Sequence, residues 1–447
     1  MSGLAQIIRA QGDVVSGSDR KFDQQRDNAM FSFFQSQGIK IFPQDGTGIS
    51  REIDEVIISG AIEGDNLDFK KARKLSLPVI TRSELLARLF NNSWGIAVAG
   101  TSGKSTITAM AAKVMDEARL DPTVINGAIL SEYKNQSSLG NVKRGNSHFM
   151  LIETDESDGS LVKFYPQIGI LANISKDHKP IPALIKIFSG FIENIKNGLI
   201  VNFDCPFSRE LSSRIPPEQV VTFGFTQGSG VRAEEITLTG ISATFKVQET
   251  FFSLPLPGKH NVANALAAIA LGIKLTIPLA TISQALRRFR GVERRLSLVG
   301  ETSGIKVFDD FSHNPAKIAA AIDSLKLIGS RLIVIYQPHG FGPTKLIKDE
   351  LVEIFNVMLK RTDILILLDI FYVGGTTERS LSSADLVNEI FIPRAKNLGD
   401  REQVIAQVTE IAKPGDVVVV MGARDNSLTD LAHKILRGLK NKTASFH

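Results

Sequence analysis

Seven consecutive residues carry the clearest chemistry in the chain: Gly100, Thr101, Ser102, Gly103, Lys104, Ser105 and Thr106. The two glycines let the backbone wrap so that its N–H groups converge on an anion. Lys104 supplies a cation for outer phosphates, and the Ser105 hydroxyl suits a magnesium ligand. Gly95-Ile96-Ala97-Val98-Ala99 before the loop is β-rich, and residues 106–120 after it are helical in pattern. A phosphate held there would meet the positive end of a helix. The spacing is shorter than the usual GxxxxGK[ST], since Gly100 precedes Lys104 by four positions. Strand, loop and helix together imply a nucleoside triphosphate site, against the plainer reading of a tight turn with an exposed lysine.

Other groups are weaker alone. Glu153 closes the apolar run Phe149-Met150-Leu151-Ile152 and opens an acidic stretch with Asp155, Glu156 and Asp158. Carboxylate oxygens suit magnesium, yet each of the last three reads equally well as part of a solvated loop. Asn261 and Asn264 are three apart and share a helix face. Their amides both donate and accept hydrogen bonds, although Asn261 alone reads as a helix cap. His178 alone reads as a surface histidine. Cys205, the single cysteine, has no obvious base beside it and reads as a small core residue.

The elements that must position these groups alternate. In the first ninety residues, Asp13-Val14-Val15 leads into a turn at Ser16-Gly17-Ser18-Asp19. Strands follow around Glu55-Val56-Ile57-Ile58-Ser59 and Pro78-Val79-Ile80, with a helix over 69–75 between them. Asn91-Asn92-Ser93 reads as a linker. Buried strands recur at 149–152, 168–172 and 199–202, and antiparallel strands at 232–256. A helical region begins at Asn261 and ends near Val299. Strands at 305–310, 332–336, 364–369 and 417–421 alternate with helical stretches, and residues 441–447 read as frayed. Alternation of this kind implies α/β units with parallel sheets, whose ligands sit beyond the carboxyl ends of strands.

The chain has 447 residues, too many for one core, with 43% hydrophobic and 22% charged residues. No apolar run is long enough for a membrane helix, and the first residues do not read as a secretory signal. The expectation is a cytoplasmic protein with no membrane partner. One cysteine excludes an internal disulfide and a multi-cysteine zinc site. The formal net charge of +5 is spread along the chain, without the long basic stretch of a nucleic-acid binder, and it fits small anionic substrates.

The ordered motifs resemble the Mur ligase family, which builds the peptide of bacterial cell-wall precursors. They are the loop 100–106, Glu153-Thr154-Asp155-Glu156-Ser157-Asp158-Gly159, Asn173-Ile174-x-x-Asp177-His178 and Gly258-Lys259-His260-Asn261-x-x-Asn264. Phe289-x-Gly291-Val292-x-Arg294-Arg295, Asp309-Asp310-Phe311-Ser312-His313-Asn314-Pro315 and Gln337-Pro338-His339 complete the set. Within the family the pattern is most similar to the branch that adds L-alanine to UDP-N-acetylmuramate, with the murein-peptide recycling branch next. The resemblance implies three α/β domains: a UDP-binding Rossmann-like unit (1–91), a central P-loop ATPase-like unit with a parallel sheet (92–298) and a C-terminal Rossmann-like unit (299–447). It implies ATP and Mg2+, an acyl phosphate formed from a UDP-linked amino sugar's carboxylate, and attack by an amino acid or peptide. It assigns metal to Ser105, Glu153 and His178, adenine to Asn261 and Asn264, the γ-phosphate to Lys104 and Arg295, and further nucleotide contact to Asp310. His313 and His339 fall in the substrate cleft; Ser16, Gly17, Ser18, Asp19, Ser59 and Gly60 match UDP-contacting turns. A monomer or weak homodimer is expected.

Three departures stand out. Met1-Ser2-Gly3-Leu4-Ala5 reads as the end of the family's first glycine-rich turn, so the expectation is coding sequence upstream of Met1. Gly340 and Pro343 stand where the alanine-adding branch carries arginines, which leaves the amine open. Asn314 replaces a second histidine, and Lys179-Pro180 follow His178 in place of an acidic pair. The alternatives are a different carboxylate and amine pair, or a non-catalytic nucleotide-binding paralogue.

Overall fold

The computed structural model describes residues 1–25, 28–60, 62–135, 138–176, 179–372, 380–392 and 394–444. The chain divides into two compact units, Met1–Arg232 with Leu266–Ala285, and Ala233–Ala265 with Leu286–His447. Both are α/β, as the alternation requires.

The first unit is built on an eight-stranded sheet. Its order is Val231–Arg232, Val220–Gly224, Gly198–Asn202, Ile168–Leu171, Trp94–Ala99, Phe149–Glu153, Thr123–Ile125 and Val142–Lys143. Every pairing is parallel except the last. Trp94–Ala99 is therefore central, and apolar residues on both of its faces are buried. Ala97 and Ala99 pack in a core with Phe90, Phe164, Phe188 and Phe191. The helix Lys104–Glu117 packs on Trp94–Ala99 and Phe149–Glu153.

At the N-terminus lie two separate parallel pairs, Ser16–Ser18 with Lys40–Phe42, and Val56–Ile58 with Val79–Thr81. The expected turn at Ser16-Gly17-Ser18 is thus a strand, created by pairing with a partner some twenty residues away, and Val14 is 92% exposed. A helix occupies Ser2–Ala10. The expected linker begins inside the helix Arg82–Asn91, whose start is fixed by a capping box between Thr81 and Glu84. Cys205 fits its expected place, packed against the core, and its thiol accepts from the Ile174 N–H at 3.3 Å.

The second unit contains an antiparallel sheet, Glu234–Leu238, Ala243–Val247 and Thr250–Leu254, and a six-stranded sheet. The latter runs Ser297–Thr302, Ile305–Asp310, Asp416–Gly422, Arg331–Gln337, Ile364–Leu367, Arg394–Asn397, parallel but for the first pair. Alternate residues of these strands feed two cores. Val334, Tyr336 and Val419 meet Ile318, Ile322 and Phe355 on one face. Ile333, Ile335 and Val420 meet Val404, Leu431 and Ile435 on the other. That is a doubly wound layer. Two expectations fail here. Val299 lies in a strand, not at a helix end, because Ser297–Thr302 pairs with Ile305–Asp310. The last helix runs Ser427–Ala444 and so takes in 441–444 of the stretch expected to fray, with Leu431, Ile435 and Leu439 anchoring it in the core; residues 445–447 lie outside the described residues. Among the described residues, no helix is long and apolar enough to cross a membrane.

Candidate active site

The glycine-rich loop leaves the carboxyl end of the central strand. Gly100 adopts φ +135°, and a Cβ there would sit 3.0 Å from the Ala172 Cβ and 3.1 Å from the Asn173 backbone. Only glycine suits such a backbone at that separation. Gly103, also left-handed, is the N-cap of Lys104–Glu117. Ser105 and Thr106 are buried in the first turn of that helix, whose leading N–H groups have no partner within the helix.

The neighbouring strands deliver the partners. Glu153 pairs in register with Val98, so its carboxylate emerges beside the loop. Glu153 Oε1 accepts from Ser105 Oγ at 2.9 Å, and Oε2 accepts from the Gly127 N–H at 2.7 Å. The Asn126 side chain donates to the Ser105 carbonyl at 3.3 Å. On the other flank, Leu171 pairs with Ala99 and places Asn173 against the loop. Asn173 Oδ1 accepts from Thr101 Oγ1 at 2.8 Å and from the Ser102 N–H at 3.0 Å, while its Nδ2 donates to the Ser102 carbonyl at 3.0 Å. The Ser175 N–H donates to Thr101 Oγ1 at 3.0 Å. One asparagine thus holds both the N–H and the carbonyl of Ser102 and fixes that part of the loop. Lys104 Nζ donates to the Gly100 carbonyl at 2.6 Å and pairs with Glu156 at 2.7 Å. Burial pushes the Asp155 carboxyl up, but hydrogen bonds from Ser157 and the charges of Lys104 and Arg82 together hold the group below its ordinary value. Asp177 and His178 lie outside the described residues.

In the N-terminal part, Ser18 Oγ donates to Asp68 at 2.5 Å, and Asp19 caps the helix Arg20–Asp23 by accepting from the Lys21 N–H. The Ile62 N–H donates to the Ser59 carbonyl, closing the turn that carries Gly60; Ala61 lies outside the described residues. Gly17 and Gly60 have open space where a Cβ would stand.

The second unit gathers its own set. Asn261 and Asn264 lie on the helix Lys259–Lys274, which crosses the boundary between the units, and both are buried. Asn264 Nδ2 donates to Asn261 Oδ1 at 3.3 Å, and Asn261 Nδ2 donates to the Pro257 carbonyl at 2.7 Å. Arg294 and Arg295 stand over the Phe311 ring, 5.1 and 4.9 Å from its centroid. Asp310, 4% exposed, accepts from the Ser312 N–H and hydroxyl. Burial raises its carboxyl above the ordinary value, and Arg295 pulls against that rise. His313 Nδ1 lies 2.9 Å from the Phe311 carbonyl, and its ring centroid is 5.3 Å from that of His339. Gly340 has φ +68° and caps the helix Phe341–Leu346, in whose first turn Pro343 lies. Their presence is explained by backbone geometry: a left-handed cap and a residue whose N–H is spare in a first turn.

Sequence reading found Lys104, Ser105 and Glu153 together. Asn126, Gly127, Asn173 and Ser175 carry no spacing signal as partners of the loop, because they follow the strands Thr123–Ile125 and Ile168–Leu171, which only the sheet order brings near it.

The Mur ligase family, catalytic domain, matches residues 1–94, the Mur ligase middle domain matches 98–272, and the Mur ligase, glutamate ligase domain, matches 294–424. The UDP-N-acetylmuramate–L-alanine ligase of Agrobacterium fabrum is 34% identical over 95% of this chain and 91% of its own length. That of Gluconacetobacter diazotrophicus is 33% identical over 100% and 94%. Among solved structures, the UDP-N-acetylmuramate-alanine ligase of Thermotoga maritima shares the fold with a TM-score of 0.78 at 24% identity, covering 100% of this chain and 97% of that one. A murein peptide ligase from Psychrobacter arcticus gives 0.68 at 22%, covering 99% and 96%.

Proposed function

This chain belongs to the Mur ligase family, and from that premise we propose that it activates the carboxylate of a UDP-N-acetylmuramate-type substrate with ATP and joins it to an amino acid or peptide, in the synthesis or recycling of peptidoglycan precursors. The observation that carries the reading is the loop 100–106, clamped by Asn173 and set beside the Ser105–Glu153 pair at 2.9 Å. Two hard oxygens meeting at a phosphate loop fit Mg2+. Ser105 and Glu153 would hold it, with His178 as a further ligand. Among the described residues no group of three or more His, Cys, Asp and Glu is placed to hold a metal ion. Such an ion supplies charge to offset the crowding of phosphate and carboxylate oxygens.

The protein's own groups then do the following. The loop N–H groups and Lys104 orient the γ-phosphoryl group. The substrate carboxylate attacks phosphorus, the bond to ADP breaks, and an acyl phosphate forms. The amine attacks the carbonyl carbon, the C–O bond breaks, and phosphate leaves while the amine gives up a proton. In this proposal Asn261 and Asn264 contact adenine, Arg295 the γ-phosphate and Asp310 the nucleotide. Residues 16–19, 59 and 60 contact the UDP group, and His313 and His339 the acceptor side. Domain limits at 91 and 298, a cytoplasmic location and a monomeric or weakly dimeric state belong to the same proposal.

The test is phosphate release. The full chain with UDP-N-acetylmuramate, ATP and magnesium should release phosphate with at least one member of a panel of amino acids and peptides. L-Alanine is the acceptor named for the relatives, but Gly340 and Pro343 carry no anion-binding side chain here, so the panel must extend past it. Silence with every acceptor would favour a nucleotide-binding paralogue.

A further inference from the structure

Lys104 is already engaged. Its Nζ donates to the Gly100 carbonyl at 2.6 Å and pairs with Glu156 Oε2 at 2.7 Å. The lysine side chain is 15% exposed and the glutamate side chain 5%, so water and salt screen this pair weakly. Glu156 is also held firmly. Thr154, two residues earlier, donates to the Val98 carbonyl through both its N–H and its hydroxyl, at 3.0 and 2.8 Å. Lys179 Nζ donates to the main-chain carbonyl of Glu156 at 3.3 Å. A carboxylate on an anchored stretch of backbone therefore engages the cation that the triphosphate reading gives to phosphate.

Resting on the reading of residues 100–106 as a triphosphate site, we infer that Glu156 is a positioning residue that competes with ATP for Lys104. Carboxylate and phosphate are rival anions for one ammonium, and both cannot crowd it without repulsion. Glu156 holds Lys104 in place, yields it as phosphate binds, and recaptures it as products leave. The cost of displacing it weakens nucleotide binding, and its return speeds release. Glu153 does not play this part, because its two oxygens accept from Ser105 and Gly127.

The experiment is calorimetric binding of ATP with magnesium to the full chain. Glu156→Gln removes the rival charge and should tighten binding about tenfold, which corresponds to about 1.4 kcal/mol, with slower dissociation. Glu156→Ala should shift affinity in the same direction. A damaged fold would weaken binding, so tightening is not a structural artefact. In a Lys104→Ala background the gain should differ in size from that in the native background, because the rivalry for the lysine is gone and only direct repulsion between Glu156 and phosphate remains. Unchanged or weaker binding by both Glu156 variants, with native binding intact and sensitive to Lys104→Ala, overturns the role of Glu156 alone. An equal gain in the Lys104→Ala background overturns it too. No binding of ATP by the native chain overturns the site reading itself.

Discussion

Lys104→Ala should abolish amide formation, with kcat reduced by roughly a thousandfold or more, since removal of one well-placed donor to a developing charge already costs about 10²–10³-fold. The loss should fall mainly on kcat. The loop backbone, pinned by Asn173, still offers N–H groups to ATP, so ground-state binding survives in part. What disappears is the cation at the transferring phosphoryl group, where negative charge from substrate and nucleotide is drawn together. Rapid-quench measurement of phosphate formation checks this. Turnover within a few fold of native would remove Lys104 from the mechanism.

Glu153→Ala should produce the second largest effect, a loss of roughly 10²–10³-fold at ordinary magnesium, partly recovered by raising the magnesium concentration. The carboxylate has two partners in the chain, Ser105 Oγ and the Gly127 N–H, and both lose their acceptor in this variant. An altered magnesium dependence is what separates a metal role from simple loosening of the loop. Titration of activity against magnesium decides it: a lowered plateau with an unchanged half-saturating concentration would contradict the assignment of metal to Glu153.

The contrast between these two residues and Glu156 shows what the sequence makes legible. A glycine loop between a β-rich run and a helix is a local signal, and every part of it is contiguous. Glu153 is next most legible, because it ends a clean apolar strand. Strand order is not printed in the chain. Trp94–Ala99 lies between Phe149–Glu153 and Ile168–Leu171, and only that order brings Asn173 and Glu156 to opposite flanks of one loop. The same holds for elements. Ile305–Asp310 was readable from its own residues to its last aspartate. Ser297–Thr302 was not, because an edge strand with half-exposed Leu298 lacks a continuous buried pattern. Ser16–Ser18 is polar and three residues long, and it becomes a strand only through Lys40–Phe42. The acceptor side is least legible of all. Gly340 and Pro343 satisfy the backbone of a short helix, and neither identifies the amine.

The central claim is that this loop transfers the γ-phosphoryl group of ATP to a carboxylate. Carrying oxygen-18 in the carboxylate of UDP-N-acetylmuramate tests it directly. If an acyl phosphate forms, the amine step breaks the carbon–oxygen bond and leaves one labelled oxygen on phosphorus. Mass spectrometry of the released phosphate should therefore show one oxygen-18 per molecule, in step with amide formed. Amide formation accompanied by unlabelled phosphate would contradict the account.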